Sequence, residues 1–179
     1  MNAKELRDLP EARSKKDRVL KRSGLYLVLD NVYDTYNIGG LFRLADALAM
    51  KELLICGNSE TPPNHRIKKA SIGTYKVVPW KYHETTLGAI EKLRRDVPDI
   101  QIVALELSDK SIPYNDFSYA SPLALVVGHE TDGIPEDVLK ACDAVVDIPM
   151  LGYNISLNVI VSAAIVAYHA LDFLGQNDV

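Results

Sequence analysis

The chain is 179 residues long and 47% hydrophobic, with 20 Lys and Arg against 24 Asp and Glu and a net charge of −4; these values exclude a disordered chain and fit one compact domain with a real core. The longest apolar runs, such as 123–127, are far too short to span a bilayer. The N-terminal MNAKELRDLPEARSKKDR lacks the apolar stretch of a secretory signal, so the chain is expected to be cytoplasmic.

Residues 1–22 carry eight Lys or Arg against four Asp or Glu. They read as a basic helical extension, bent at Pro10, whose Leu6, Leu9, Val19 and Leu20 are too sparse for a deep core face. The folded domain is expected from 23 to 179. Residues 24–30, GLYLVLD, form an apolar run ended by Asp30, the pattern of a central parallel strand covered on both faces. A loop rich in Asn, Asp and Tyr over 31–37 leads into a helix with Leu41, Leu44, Ala45 and Leu48 on one side, and 53–56 is a second short strand. Pro62 and Pro63 keep 57–64 irregular. One or two helical turns over 65–72 would present Arg66 and Lys69 on one side. The periodicity then predicts a strand over 75–80 and a helix over 85–96 that carries Leu87, Ile90 and Leu93 and stops at Pro98. A buried strand over 100–107, a loop over 108–121 and a strand over 123–128 follow. Pro135 opens a short helix over 136–141, because proline is favoured at a first helical position. A last strand closing at 147–150 runs through a polar loop into a final helix with an apolar stripe of Val159, Ala163, Val166, Ala167 and Ala170 and with Ser156 at its N-cap. Strands alternating with helices predict an α/β fold, a mostly parallel sheet flanked by helices, and leave the strand order open.

Charge and motifs narrow the chemistry. The region 61–82 holds Arg66, Lys68, Lys69, Lys76 and Lys81 with no acid, so a basic patch can hold phosphates while the rest of the surface stays acidic. Cys56 and Cys142 lack a second Cys or a His at ligand spacing, which argues for reduced core thiols and against a metal site. A dinucleotide fingerprint, a phosphate loop and a nucleophile elbow are all absent, which leaves little for a small-molecule α/β enzyme. Three polar stretches stand out at the ends of apolar segments: NIGGLFR at 37–43, GHETDGIP at 128–135 and IPMLGYNISLN at 148–158.

These three stretches, in this order, resemble the three motifs of the SpoU branch of the SPOUT RNA methyltransferases, and the resemblance runs from about Gly24 to Leu171. It implies a SPOUT fold with a deep C-terminal trefoil knot, which general topology rules would not suggest. It implies S-adenosylmethionine as methyl donor, held in a bent shape, a ribose 2′-hydroxyl as acceptor, a homodimer that builds its site across two subunits, and no metal.

By the same resemblance, Arg43 serves the ribose hydroxyl, and Asn37 fixes the arginine and its backbone. Glu130 braces that end of the site, and Ser156 and Asn158 support the third motif and the substrate. In family proposals the arginine removes the proton. A guanidinium stays protonated throughout the biological range, so the physically easier role is to bind phosphate and orient the nucleophile. His129 looks like a base, but the family motif tolerates other residues there. Donor contacts fall at Leu105, Gly128, Ile148, Met150, Ser156 and Leu157, where backbone groups and apolar surface matter more than charge. RNA contact falls to Arg43, Arg66, Lys68 and Lys69, a distribution that favours tRNA over rRNA. The competing expectations are an rRNA 2′-O-methyltransferase and a non-catalytic RNA-binding or ribosome-assembly protein that keeps the fold.

Overall fold

The computed structural model describes residues 3–8 and 20–174. Its centre is strand β1, Leu25–Asp30, buried along its whole length. Side chains alternate across a strand, so a run that is apolar at every position has to be covered on both faces. Leu25, Leu27 and Leu29 enter one apolar cluster and Tyr26 and Val28 the other. The same division holds in β2, Glu52–Cys56, where Leu53 and Ile55 face one way and Leu54 and Cys56 the other.

Among the described residues the sheet has seven strands. Besides β1 and β2 these are β3, Trp80–His83; β4, Gln101–Leu105; β5, Ile112–Pro113; β6, Leu123–Val127; and β7, Ala144–Asp147. Their order is β3-β2-β1-β6-β4-β7-β5, and every pairing is parallel. Helices α2, Thr35–Ala47; α3, His65–Ser71; and α6, Val159–Phe173, cover one face. Helices α4, Thr86–Asp96, and α5, Glu136–Ala141, cover the other. A short helix α1, Ala3–Asp8, precedes them. Among the described residues no helix is long and apolar enough to cross a membrane.

Several boundaries differ from the sequence reading. Helix α2 starts at Thr35, because the Asp34 carboxylate accepts the N–H of Tyr36 and caps it there. Asn37 therefore sits inside the first turn rather than ending a loop. The strand expected over 75–80 is displaced: Thr74–Lys76 is a single 3₁₀ turn that buries Tyr75, and β3 begins only at Trp80. Pro79 has no N–H to give a ladder and contributes its carbonyl alone, to the N–H of Leu53. Strand β4 stops at Leu105, where the Glu106 carboxylate turns back to accept backbone N–H groups. The segment 108–121, expected as loop, contributes the short edge strand β5. The cap of α6 is Asn158, whose side-chain oxygen accepts the N–H of Ile160 at 2.9 Å, and not Ser156. The charged extension is helical over Ala3–Asp8 and not helical at 20–22; Pro10 and the rest of its span lie outside the described residues. Both cysteines are unpaired, and burial pushes each thiol up to about 12.

One close approach fixes how α2 meets α3. A Cβ built on Gly39 would lie 2.5 Å from the Cβ of Ala70 and 2.9 Å from the Ser71 amide nitrogen. Backbone cannot move aside as a flexible side-chain end can. Gly39→Ala is therefore expected to lower stability by about 1–3 kcal/mol, read as a lower urea midpoint at unchanged slope.

Candidate functional site

Parallel strands end together, and the loops that leave β4, β6 and β7 meet at the C-terminal edge of the sheet. Between them lies a cavity of about 310 Å³. Apolar surface from Leu105, Val127, Ile148, Leu157 and Val159 lines it, with polar groups from Glu106, His129, Glu130, Asp147 and Ser156. All six positions expected to meet the donor, Leu105, Gly128, Ile148, Met150, Ser156 and Leu157, are in this lining.

The loop after β6 is held by three devices. Gly133 takes φ +68, a left-handed conformation that favours glycine, and its N–H bonds the His129 carbonyl at 3.1 Å. The Glu106 carboxylate accepts the Ile134 N–H at 2.9 Å and the Leu107 N–H at 3.0 Å, tying the end of β4 to this loop. His129 Nδ1 accepts the N–H groups of Thr131 and Asp132, at 3.2 and 2.9 Å. That nitrogen is therefore committed to the backbone of its own loop. Gly128 is needed for proximity: a Cβ there would lie 2.7 Å from the Gly133 carbonyl and 2.6 Å from Ile134.

The loop presents Glu130 to the start of α2. Asn37 Nδ2 donates to Glu130 Oε1 at 2.7 Å, and Asn158 Nδ2 donates to Asn37 Oδ1 at 3.0 Å. Asn37 is 6% exposed, so its amide depends on these two partners. The chain Asn158, Asn37, Glu130 thus links the three polar stretches. Asn158 does double duty, since its oxygen caps α6 while its nitrogen bonds Asn37.

The remaining expected residues are placed differently. Arg43 lies on α2 two turns beyond Asn37 and is exposed; it does not line the cavity and has no hydrogen-bond or ionic partner among the described residues. Ser156 is exposed in the loop before α6 and lines the cavity. Arg66, Lys68 and Lys69 are exposed on α3, whose Ile67 and Ser71 are buried beneath them. Asn64 caps this helix through the N–H of Arg66 at 2.9 Å. Glu106 and the Nδ1 role of His129 escaped the sequence reading. Their work is bonding backbone of the 128–134 loop, and no spacing advertises it. Among the described residues no group of three or more His, Cys, Asp or Glu could hold a metal ion.

Residues 24–168 match the model of the SpoU rRNA Methylase family. The chain belongs to that family. A relative, the tRNA (guanosine(18)-2'-O)-methyltransferase of Escherichia coli K12, is 29% identical over 153 residues, 84% of this chain and 64% of its own length. The Thermus thermophilus protein of the same name is 29% identical over 168 residues, 92% of this chain and 84% of its own. Among solved structures, the AdoMet-bound rRNA methyltransferase of Sinorhizobium meliloti superposes with a TM-score of 0.78 at 26% identity, over 96% of this chain and 61% of that one. The chain therefore spans less than two thirds of the Escherichia coli and Sinorhizobium proteins.

Removing the central amide should unlink the three SpoU stretches. Asn37→Ala is expected to cost about 1–3 kcal/mol, because it takes the partner from Glu130 Oε1 and from Asn158 Nδ2. A double-mutant cycle with Glu130→Ala by urea denaturation should give a coupling of at least about 0.5 kcal/mol; additive effects would mean that the hydrogen bond contributes nothing.

Proposed function

We propose that this chain is an S-adenosylmethionine-dependent methyltransferase that methylates a ribose 2′-hydroxyl in tRNA, acting as a homodimer in the cytoplasm. The observation that carries the reading is the hydrogen-bonded chain of Asn158, Asn37 and Glu130 at the mouth of a cavity lined by all six expected donor-contact residues. An adenosyl group needs apolar walls and close backbone, and Leu105, Ile148 and Leu157 with the constricted backbone at Gly128 fit that need. When bound, S-adenosylmethionine supplies an electrophilic methyl group on a sulfonium.

The residues of the chain do the rest. Arg43 binds the phosphate and orients the 2′-hydroxyl, a task of position that its permanent charge suits. Asn37 and Glu130 hold the start of α2, on which Arg43 is carried. Arg43 stands outside the cavity lining of its own chain, so the proposal brings it to the donor site of a second copy. The exposed apolar residues Leu151, Tyr153, Ile155, Val161 and Tyr168 support such a partner, because they run from the cavity loop along the outer face of α6. The same reading includes the C-terminal trefoil knot; its support is that α6, the last element, returns from the β7 side to pack against α2 and β6. Arg66, Lys68 and Lys69 supply phosphate contacts on a chain whose net charge is −4. The choice of tRNA is supported by the names of the Escherichia coli and Thermus relatives.

Incubation with labelled donor should introduce one 2′-O-methyl group into purified tRNA, mapped by mass spectrometry. Label in ribosomal RNA alone would move the substrate, and label in neither would leave an RNA-binding protein. Arg43→Ala is expected to reduce transfer by at least about 100-fold with donor affinity, by calorimetry, nearly unchanged; a parallel loss of donor affinity would move Arg43 to the donor side. The Lys68→Glu, Lys69→Glu double variant should weaken tRNA binding and flatten its dependence on salt by about one unit of slope for each phosphate that is no longer neutralised. An unchanged slope would remove α3 from the RNA-binding surface.

A further inference from the structure

Two large aromatic side chains are left open beside this site. Tyr33 is 47% exposed and Tyr36 is 51% exposed, and they flank Asp34, the cap of α2. The Tyr33 ring and the Tyr36 backbone are held in place. The Tyr33 ring packs edge-on with His129 at 4.6 Å between centroids, and His129 is itself pinned by the Thr131 and Asp132 N–H groups and lines the cavity. Tyr36 is in the first turn of α2, next to the buried Asn37, with its N–H bonded to Asp34 at 2.8 Å.

Helical spacing places Tyr36, Gly40 and Arg43 on one stripe of α2, with Tyr36 and Arg43 roughly 10 Å apart along the axis. At Gly40 the stripe is covered by Ile160 of α6, whose Cδ1 would lie 2.3 Å from a Cβ there, so Tyr36 and Arg43 stand exposed on either side of that apolar contact. A planar aromatic group and a cation on one exposed face match the two parts of a nucleotide, a flat base and an anionic backbone.

We propose that Tyr33 and Tyr36 form the platform on which the base of the target nucleotide stacks, so that its ribose is delivered to Arg43 of the same chain, which the proposed dimer sets at the cavity of the second copy. This inference rests on the RNA methyltransferase reading and adds a base-holding subsite to it. Stacking tolerates any base, because every base has a π-face. The platform therefore fixes where the nucleotide sits and not which base it carries. The Tyr33 ring, already packed on His129, loses little freedom when a base arrives, which suits a subsite that has to hold one nucleotide in a single pose.

The test compares Ala, Leu and Phe at positions 33 and 36, singly and together. It measures kcat/KM with total tRNA, tRNA affinity by filter binding with S-adenosylhomocysteine present, donor affinity by calorimetry, and oligomeric state by sedimentation. Tyr36→Ala and Tyr33→Ala should each lower tRNA affinity or kcat/KM by about tenfold or more, the weight of one base on one ring. Phe should restore most of the loss, Leu should not, and donor affinity and oligomeric state should stay as in the wild type. Leu acting as well as Tyr would overturn the platform, as would Ala variants that match the wild type or that dissociate into monomers. A wild-type protein that transfers no methyl group, yet binds tRNA with the same Ala and Phe pattern, would keep the platform and overturn the transferase reading. Methylation by wild type and Ala variants alike would overturn the platform alone, and absence of both binding and transfer would overturn both.

Discussion

A buried carboxamide with two partners far away in sequence is the constraint from which the rest of the molecule can be followed. Glu130 is 93 residues from Asn37 and Asn158 is 121 residues from it. A buried amide without partners costs about 1–3 kcal/mol, a large fraction of the stability of a small domain. The first turn of α2, the loop after β6 and the start of α6 therefore have to arrive at one point. Placing β1 directly beside β6 accomplishes part of this, because the loops that follow the two strands then leave the same edge of the sheet. The return of α6 onto α2 accomplishes the remainder.

Close packing turns that meeting into a rigid one. Gly39 lets α3 approach α2, and Gly40 admits Ile160 of α6. Helix α2 is thus gripped along two of its faces while Tyr36 and Arg43 stay in solvent. The loop after β6 is a turn closed by an isolated bridge between His129 and Gly133. It is held by side-chain acceptors on backbone N–H groups, from Glu106 and His129, and by the left-handed Gly133. Such bonds fix a loop without filling it with side chains, which leaves a cavity where a donor can lie.

Polarity is distributed with the same economy. Arg66, Lys68 and Lys69 are carried close to α2 on a seven-residue helix anchored by Ile67. Acidic groups outnumber basic ones in the chain as a whole, whose net charge is −4. An anionic polymer approaching such a molecule is attracted by a small region and repelled by most of the rest, which orients encounter as well as strengthening it.

Much of this was legible in the residues. Runs such as 25–29 and 123–127, apolar at every position, require cover on both faces and so announce central parallel strands. Glycines grouped with Asn37 at 37–43, with Glu130 at 128–135 and with Asn154 and Asn158 at 148–158 announce where polar chemistry collects. Local capping competition was not legible: Asp34 starts α2 inside the stretch read as loop over 31–37, and Asn158 takes the cap assigned to Ser156, because several Asn, Asp and Ser residues stand within reach of each helix start. The displacement of β3 to Trp80 follows from burial of Tyr75 and the missing donor of Pro79, a tertiary preference against a local one. By itself, then, the sequence determined the alternation of elements, the double-sided burial of the sheet and the identity of the polar stretches, since these depend on side-chain chemistry and period. Only the tertiary structure decided the strand order, the bond from Asn158 to Asn37 to Glu130 and the position of Arg43 outside its own cavity. Those depend on distances between segments that no local period encodes.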